Sequence, residues 1–280
     1  MPMTQCDIRD YYESCWKGMN DRATGTDSLR YAGEVEDLVL TPIYRRLVSD
    51  LHIRADGGRI LDVGCGSGRW VRYFLDWYTP RLVMGVDCTQ ASVDLLNQWH
   101  HSSDCPLEFA VADITTPALE LNHRFDLINV GNVLFHIPEP DLYANALRNL
   151  ARHLAPRGAI ITTEYMPRTT MRTEWMLVRS RYEFEAIAAS AGLRIVDVRA
   201  FGFFVNDPMG LDGPDQGVRG YFGNVRAGIR QILESNLDGD SKRFMTTFLA
   251  SIEQALLAFC RERVPDIDLP SQKLVVLTAV

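Results

Sequence analysis

A short glycine-rich segment, residues 60–68, constrains the fold of this chain more than any other part of its sequence. An apolar run leads into Asp62, and the next residues alternate glycine with other small side chains. The three glycines are Gly64, Gly66 and Gly68. Glycine adopts backbone conformations that a Cβ would prevent, so such a loop can approach a ligand closely. A helical pattern over 69–77 follows, so the segment predicts a strand, a tight loop and the start of a helix.

The region 58–200 alternates apolar runs with helical patterns. Strands are predicted at 59–63, 82–87, 107–112, 125–130, 159–164 and 193–200, with a turn at 156–158. Helices are predicted at 69–77, 91–100, 140–154 and 181–191. A β-branched run at 273–280 predicts a seventh strand. Because the strands are almost unbroken apolar runs, both faces of the sheet are expected to be covered. The predicted fold class is α/β, with a doubly wound, mostly parallel sheet of seven strands.

Segments outside this alternation predict additional helices. Residues 7–19 have an amphipathic pattern. Asp27 or Ser28 is expected to cap a second helix that ends near Leu40, because Pro42 disfavours helix at the preceding residue and can itself begin a third. After the sixth strand, a loop at 206–217 precedes helical patterns at 218–235 and 241–263.

These patterns divide the chain into four parts. Residues 1–55 are expected to form a helical lid, and residues 56–200 the α/β core. Residues 201–271 form a helical insertion that is either a substrate cap or an oligomer contact, and residues 272–280 return to the sheet. The insertion is too long for a structureless loop, which supports helices within it.

Composition excludes several classes of function. The hydrophobic share of 46% and the charged share of 23% are those of a globular protein and argue against disorder. The net charge is −7, so the chain lacks the overall positive charge expected of a nucleic-acid-binding protein. No long apolar run predicts a membrane span, and the scattered cysteines indicate a reduced, cytoplasmic protein. A metal site is not expected, although one turn carries four metal-capable side chains: His100, His101, Asp104 and Cys105.

The glycine spacing resembles the first motif of the class I S-adenosylmethionine-dependent methyltransferases. The dinucleotide-binding fingerprint has a different spacing, with two residues before its last glycine. Two further acids support the resemblance, because Asp87 ends the second strand and Asp113 follows the third. Ligands of open α/β sheets bind at the carboxyl ends of the strands, where all three features meet. The resemblance implies the Rossmann-like methyltransferase fold and S-adenosyl-L-methionine as the cofactor.

The resemblance also implies particular cofactor contacts. The methionine portion is assigned to Asp62, Gly64, Cys65, Gly66 and Gly68 of the loop and to Val130 and Gly131 after the fourth strand. The ribose is assigned to Asp87, and the adenine to Cys88, Asp113 and Ile114. Taken singly, Asp87 and Asp113 are equally well explained as turn residues at strand ends.

The acceptor side has several candidates, each with a structural alternative. His136 is a candidate general base, since a histidine titrates near neutral pH, but it can equally be a packing residue. Glu164 and Tyr165 end the fifth strand and either face the acceptor or hold the insertion. Tyr11, Tyr12 and Trp16 form an aromatic lid or simply pack at helical spacing. Arg168, Arg172, Arg179 and Arg181 bind an anionic acceptor group or form a solvated surface.

The predicted function is methyl transfer to a small-molecule acceptor at oxygen or nitrogen. The acidic composition disfavours nucleic acid as a partner, and a homodimer is possible through the insertion. Two alternatives stay open: a methyltransferase acting on tRNA or protein, and a non-catalytic cofactor-binding partner subunit.

Overall fold

A computed structural model describes most of the chain. The described residues are 4–17, 33–99, 104–167, 169–172, 174–202, 224, 227–229, 231–232, 235, 237–263 and 272–280. The predicted caps Asp27 and Ser28, the residues His100, His101 and Arg168, and the loop 206–217 lie outside them, as does most of the predicted helix 218–235.

The described helices and strands follow the predicted alternation. The helices are α1 (Gln5–Lys17), α2 (Gly33–Asp50), α3 (Arg69–Trp77), α4 (Gln90–Trp99), α5 (Pro140–Arg152), α6 (Arg181–Ser190) and α7 (Gly239–Arg263). The strands are β1 (Arg59–Val63), β2 (Leu82–Asp87), β3 (Leu107–Val111), β4 (Phe125–Val130), β5 (Leu154–Tyr165), β6 (Met171–Arg172), β7 (Leu177–Val178), β8 (Leu193–Gly202) and β9 (Gln272–Ala279). A short 3₁₀ turn, Leu134–His136, follows β4.

Seven of these strands form one twisted sheet in the order β3-β2-β1-β4-β5-β9-β8. The pairs from β3 to β5 are parallel, whereas β9 runs antiparallel between β5 and β8. The prediction of a doubly wound, mostly parallel seven-stranded sheet is confirmed. The strand order reverses at β1 and β4, and ligands of such sheets bind in the crevice outside that point.

Helices cover both faces of the sheet. On one face, Tyr44 and Leu47 of α2 pack with Trp70 and Phe74 of α3. On the other face, α5 and α6 pack through apolar residues such as Leu147. Side chains of consecutive strand residues alternate between these two clusters, as strand geometry requires. The carboxyl edge of the sheet is therefore held in place from both sides.

The predicted break in the helix at Pro42 is wrong. One continuous helix, α2, runs through Pro42. Proline has no N–H to donate to the carbonyl of Leu38, which lies four residues earlier. The side-chain amide of Gln254 on α7 donates to that carbonyl at 3.1 Å, and the Thr41 hydroxyl donates to the carbonyl of Asp37 at 2.7 Å. A distant helix thus replaces the hydrogen bond that proline removes.

The predicted turn at 156–158 lies inside β5 as a bulge. Leu154 pairs with Phe125 of β4, but Ala159 already pairs with Leu127. Arg157 takes a positive φ of 66° in the extra segment, so β5 begins five residues before the predicted strand. The antiparallel pair β6–β7 and the 3₁₀ turn were not predicted. Among the described residues, no helix is long and apolar enough to cross a membrane.

Candidate active site

The glycine loop lies at the carboxyl end of β1, between that strand and α3. Gly64, Gly66 and Gly68 all have positive φ, at 63°, 51° and 77°. A Cβ on Gly66 would lie 2.9 Å from the Trp16 ring, and one on Gly64 would lie 2.3 Å from Val133. The loop therefore needs glycine for two reasons, its left-handed backbone and the close approach of neighbouring side chains.

Hydrogen bonds within the core fix this loop. The N–H groups of Gly64 and Cys65 both donate to the carbonyl of Val86, at 2.7 and 3.1 Å. The Cys65 thiol is buried and lies beside Gly85 of β2. The side chain of Cys65 points into the core, so only the backbone of Cys65 can contribute to the predicted site.

Asp87 ties the end of β2 to the loop. One carboxylate oxygen accepts from the N–H of Gly66 at 3.0 Å. The other accepts from the Thr89 N–H at 3.0 Å and from the Thr89 hydroxyl at 2.6 Å. Asp87 therefore forms a turn with Thr89, as the structural alternative predicted. The same carboxylate also contacts the glycine loop. Burial raises the pKa of Asp87.

Asp62 is buried at the end of β1 and is held from β4. The Asn129 amide donates to Oδ1 of Asp62 at 2.8 Å, and the Tyr44 hydroxyl donates to Oδ1 of Asn129 at 3.1 Å. Oδ2 of Asp62 has no partner among the described residues. Burial raises the pKa of Asp62 to about 7. This orphaned oxygen is ready to accept a hydrogen bond from a cationic group, which would also lower that pKa.

Asp113 and Ile114 follow β3 at the same edge. Oδ1 of Asp113 accepts from the N–H and the hydroxyl of Thr115, at 2.8 and 2.7 Å. Ile114 is buried in the main cluster. Cys88 lies close enough to Asp87 and Asp113 for both charges to raise its thiol pKa, which burial brings to about 12. That thiol is therefore protonated at neutral pH.

Val130 and Gly131 end β4 beneath the loop. Val130 is fully buried, and its carbonyl accepts from the Thr162 hydroxyl at 3.1 Å. A Cβ on Gly131 would lie 2.6 Å from Nε1 of Trp70. Gly131 thus lets the first turn of α3 pack directly on the end of β4.

His136 ends the 3₁₀ turn after β4 and has a defined tautomer. Its Nδ1 lies 3.1 Å from the carbonyl oxygen of Trp175, which can only accept, so Nδ1 carries the proton. Its Nε2 lies 3.1 Å from the Tyr12 hydroxyl. Burial lowers the pKa of His136, so the ring is neutral and Nε2 accepts from Tyr12.

Helix α1 brings its aromatic residues to the same edge. Trp16 covers Gly66, while Tyr12 reaches His136. Tyr11 contacts the Trp175 ring, with centroids 4.5 Å apart. Glu13 accepts from the N–H of Ala91 at 3.2 Å, which fixes α1 to the start of α4. The aromatic residues of α1 lie against the carboxyl edge of the sheet, and their role as a lid stays a prediction.

Glu164 and Tyr165 end β5 in different surroundings. The Glu164 carboxyl is buried, accepts from the Thr162 hydroxyl at 2.8 Å, and has its pKa raised to about 8 by burial. The Tyr165 ring contacts Phe135, which in turn contacts His136. Tyr165 thus belongs to the aromatic group around His136, whereas Glu164 lies inside the core.

The candidate arginine group does not act as one unit. Arg179 is buried, while Arg181 pairs with Glu185 at an exposed position and Arg172 is exposed on β6. No group of three or more metal-ligating side chains is found in the part of the chain that the structure describes. His100 and His101 fall outside that part, and the Cys105 thiol donates to the carbonyl of Pro106 at 3.4 Å.

The family described as "Methyltransferase domain" matches residues 60–158, which include the glycine loop, β2, β3, β4 and the 3₁₀ turn. Residues 60–158 are a methyltransferase domain. The matched stretch ends just before the strand residues that carry Glu164 and Tyr165, and it excludes α1 and α7.

Curated relatives of this methyltransferase domain act on small molecules by name. Phosphoethanolamine N-methyltransferase 1 of Triticum aestivum is 28% identical over 216 residues, which cover 75% of this chain and 38% of that protein. The ubiquinone biosynthesis O-methyltransferase of Brucella anthropi is 31% identical over 163 residues, covering 51% of this chain and 62% of that protein. The chain therefore spans less than two thirds of the length of either relative.

The methyltransferase fold extends beyond the matched stretch. The crystal structure of the [4+2]-cyclase SpnF superposes with a TM-score of 0.60 over 99% of this chain and 97% of that one, at 16% identity. At this identity the likeness concerns the fold alone.

The site fits the cofactor of the methyltransferase family. Among the described residues Oδ2 of Asp62 has no partner, and the backbone of the glycine loop leaves no room for a Cβ at Gly64 or Gly66. Sequence reasoning missed Asn129, which holds Asp62, and Trp175, which holds His136. Asn129 could have been identified from the sequence, because it is a polar residue in the apolar run of β4. Nothing in the sequence indicated Trp175.

Proposed function

We propose that this chain transfers a methyl group from S-adenosyl-L-methionine to a small-molecule acceptor. The observation that carries the proposal is the contact of Tyr12 and His136 beside the glycine loop. It puts a neutral imidazole, whose Nε2 accepts from the Tyr12 hydroxyl, at the edge of the sheet where the cofactor of this family binds.

The cofactor side of the proposal rests on three acids at three strand ends. Asp62 would accept from the ammonium of the methionine portion, Asp87 from the ribose hydroxyls, and Asp113 from the adenine amino group. Hydrogen bonds from Gly66 and Thr89 hold the Asp87 carboxylate beside the glycine loop at the carboxyl end of β2. When bound, S-adenosylmethionine supplies a methyl group already activated as a sulfonium.

His136 is proposed as the general base. When an N–H or O–H of the acceptor takes the place of the Tyr12 hydroxyl at Nε2, Nε2 would accept the acceptor's proton. The methyl–sulfur bond would break as the new bond to carbon forms, and the cofactor would leave as a neutral thioether. The imidazolium produced keeps its Nδ1 hydrogen bond to Trp175, which stabilises the positive charge. A positioned base contributes about 10²- to 10⁴-fold to such a reaction.

An amine is the acceptor that the surroundings favour. Tyr11, Tyr12 and Trp175 form an electron-rich aromatic group beside His136, and such rings attract cations. The wheat relative is named for an N-methylation. Glu164 does not oppose this assignment, because burial holds its pKa at about 8 and keeps it largely protonated at neutral pH.

A radiolabelled methyl-transfer assay tests the proposal. The chain is incubated with methyl-labelled S-adenosylmethionine and, separately, phosphoethanolamine, a catechol, or unfractionated tRNA. N-methylated phosphoethanolamine that carries the label is the expected product, and it should disappear in the His136→Asn variant. Label on tRNA would favour a macromolecular acceptor. Binding of S-adenosylhomocysteine without transfer to any acceptor would favour the partner-subunit alternative.

The partner in solution is proposed to be a second copy of this chain. Three phenylalanines of α7 are exposed to solvent: the exposed fraction is 66% for Phe244, 49% for Phe248 and 58% for Phe259. Antiparallel pairing of two α7 helices about Ser251 and Ile252 would place Phe244 against Phe259 and Phe248 against the small Ala255. We also place the chain in the cytoplasm, because the five cysteines whose side chains the structure describes form no disulfide.

A further inference from the structure

One segment of the chain holds the His136 turn at two points. The segment is residues 174–179, which follow β6 and include β7. The carbonyl of Trp175 binds Nδ1 of His136 at 3.1 Å. Four residues later, Nη2 of Arg179 donates to the carbonyl of Pro138 at 3.2 Å. The two contacts lie on either side of Ile137, so this segment restrains both the ring and the backbone that follows it.

Proline has no N–H, so the carbonyl of Pro138 is the backbone group of that residue that can form a hydrogen bond. The preceding N–H groups are used inside the turn itself: His136 donates to Val133 at 2.9 Å and Ile137 to Leu134 at 3.0 Å. These local bonds shape the turn but do not attach it to the rest of the molecule. Arg179 supplies that attachment on the Pro138 side.

The guanidinium of Arg179 is itself fixed. It is 4% exposed, and its Cζ lies 3.7 Å from the centroid of the Tyr143 ring on α5. Its Nε lies 3.5 Å from Oε1 of Glu183, one turn along on α6. Arg179 therefore links the Pro138 carbonyl to two helices of the core.

Stability alone does not explain an arginine here. Burial lowers its pKa, which reports the cost of desolvating the charge. Nε forms an ion pair with Glu183 but no hydrogen bond, and Nη1 has no hydrogen-bond partner among the described residues. A buried charge with unused donors is generally less favourable than an apolar side chain of similar volume, such as methionine.

We propose that Arg179 is a positioning residue for the methyl transfer, acting through Pro138 to set the direction of the His136 ring. The proposal rests on the proposed role of His136 as the base. Without Arg179 the turn keeps its local hydrogen bonds and its apolar packing but loses the hydrogen bond to the Pro138 carbonyl. Nε2 then meets the acceptor less often in a reactive geometry, so kcat falls while cofactor binding is preserved.

Arg179→Met, Arg179→Lys and the exposed control Arg181→Met test this role. For each variant, affinity for S-adenosylhomocysteine, kcat and KM for one acceptor, and the ¹⁵N spectrum of the histidine rings are measured. In Arg179→Met we expect kcat to fall about 10- to 100-fold with unchanged affinity and KM, because small misplacements of reacting groups have effects of this size. The His136 ring signals, assigned by their loss in His136→Asn, should shift. Lysine should restore part of kcat, and Arg181→Met should match the wild type.

Unchanged kcat and unchanged His136 signals in Arg179→Met would overturn the proposal. A raised KM at constant kcat would also overturn it, since Arg179 would then contact the acceptor itself. If the methionine variant does not fold, Arg179→Lys decides by the same two readouts. Wild-type turnover in His136→Asn would instead remove the proposed role of His136 as the base. Absence of methyl transfer by the wild type would remove the proposed function, so these failures are distinguishable.

Discussion

The indole ring of Trp16 lies directly on the backbone of Gly66. A Cβ at Gly66 would be 2.9 Å from two carbons of that ring. Helix α1 and the glycine loop are therefore in contact over the region where the cofactor of this family binds. This contact requires glycine at position 66, so the position of α1 depends on the conformation of the glycine loop.

Replacing Gly66 with alanine should weaken cofactor binding. The variant must place a Cβ against Trp16 and also accept a left-handed backbone, which costs about 1–2 kcal/mol for an ordinary residue. Gly192→Ala is the matched control, because Gly192 has a φ of +77° with nothing within 4 Å of its Cβ position. Calorimetry with S-adenosylhomocysteine should show weaker binding for Gly66→Ala alone, while both variants lose thermal stability. Equal affinities would mean that the loop does not form the site.

The Asp87→Asn variant tests the ribose assignment. Asparagine keeps the size of the side chain but turns an N–H₂ toward either Gly66 or Thr89, and it removes the charge. Hydrogen bonds to charged groups contribute about 1.5–3 kcal/mol each, so S-adenosylhomocysteine affinity should fall roughly 10- to 100-fold. Asp56→Asn is the control, since Asp56 accepts from the Thr79 N–H and hydroxyl in the same way but precedes β1 at the opposite edge. Unchanged affinity in Asp87→Asn would exclude the ribose contact.

The pH profile of activity should report the Tyr12–His136 contact. The neutral His136 ring accepts from Tyr12, and the imidazolium cannot, so this hydrogen bond favours the neutral form and adds to the lowering of the pKa by burial. The acid limb of kcat/KM should therefore lie below the usual histidine value of 6.5. Tyr12→Phe should move that limb to higher pH. Tyr11→Phe, whose hydroxyl does not contact Nε2, should leave it in place; a limb unaffected by both changes would speak against His136 as the base.

Several features of the fold follow directly from the sequence, because they depend on local patterns. The bounds of β1, β2, β4 and α3 were predicted to the residue, since each is an apolar run or amphipathic pattern with a turn at both ends. Asp62, Asp87 and Asp113 were placed at one edge because parallel strands end together.

Other features depend on contacts between residues far apart in the chain. Pro42 stays inside α2 because Gln254 fills the hydrogen bond that proline removes. Tyr12 and His136 are 124 residues apart, and nothing in the local sequence of either predicts their contact. The hold of residues 174–179 on the His136 turn is likewise a product of tertiary packing. Local sequence patterns thus predict where the strands end but not which side chains meet above those ends.

Glu164 should make the protein less stable as pH rises. Burial raises its pKa from 4.5 to about 8 in the folded state, so the folded chain holds a proton that the unfolded chain releases between these values. Its contribution is complete below about pH 4.5 and is lost as pH rises toward 8, at up to about 1.4 kcal/mol per pH unit. Glu164→Gln keeps an acceptor for Thr162 and removes the titration. Urea unfolding should show the variant gaining relative stability on the alkaline side, whereas the exposed Glu185→Gln should show no such trend.

The exposed face of α7 should determine the oligomeric state. Phe248→Glu places a charge at the point where antiparallel pairing would bring Phe248 against Ala255 of a second copy. We expect light scattering after gel filtration to give twice the chain mass for the wild type and the chain mass for this variant. Tyr182→Glu, a charge placed at an 80% exposed aromatic residue on α6, is the matched control and should remain a dimer. A monomeric wild type would exclude a second copy as the partner of this face, and dissociation of both variants would show that added charge rather than the α7 contact is responsible.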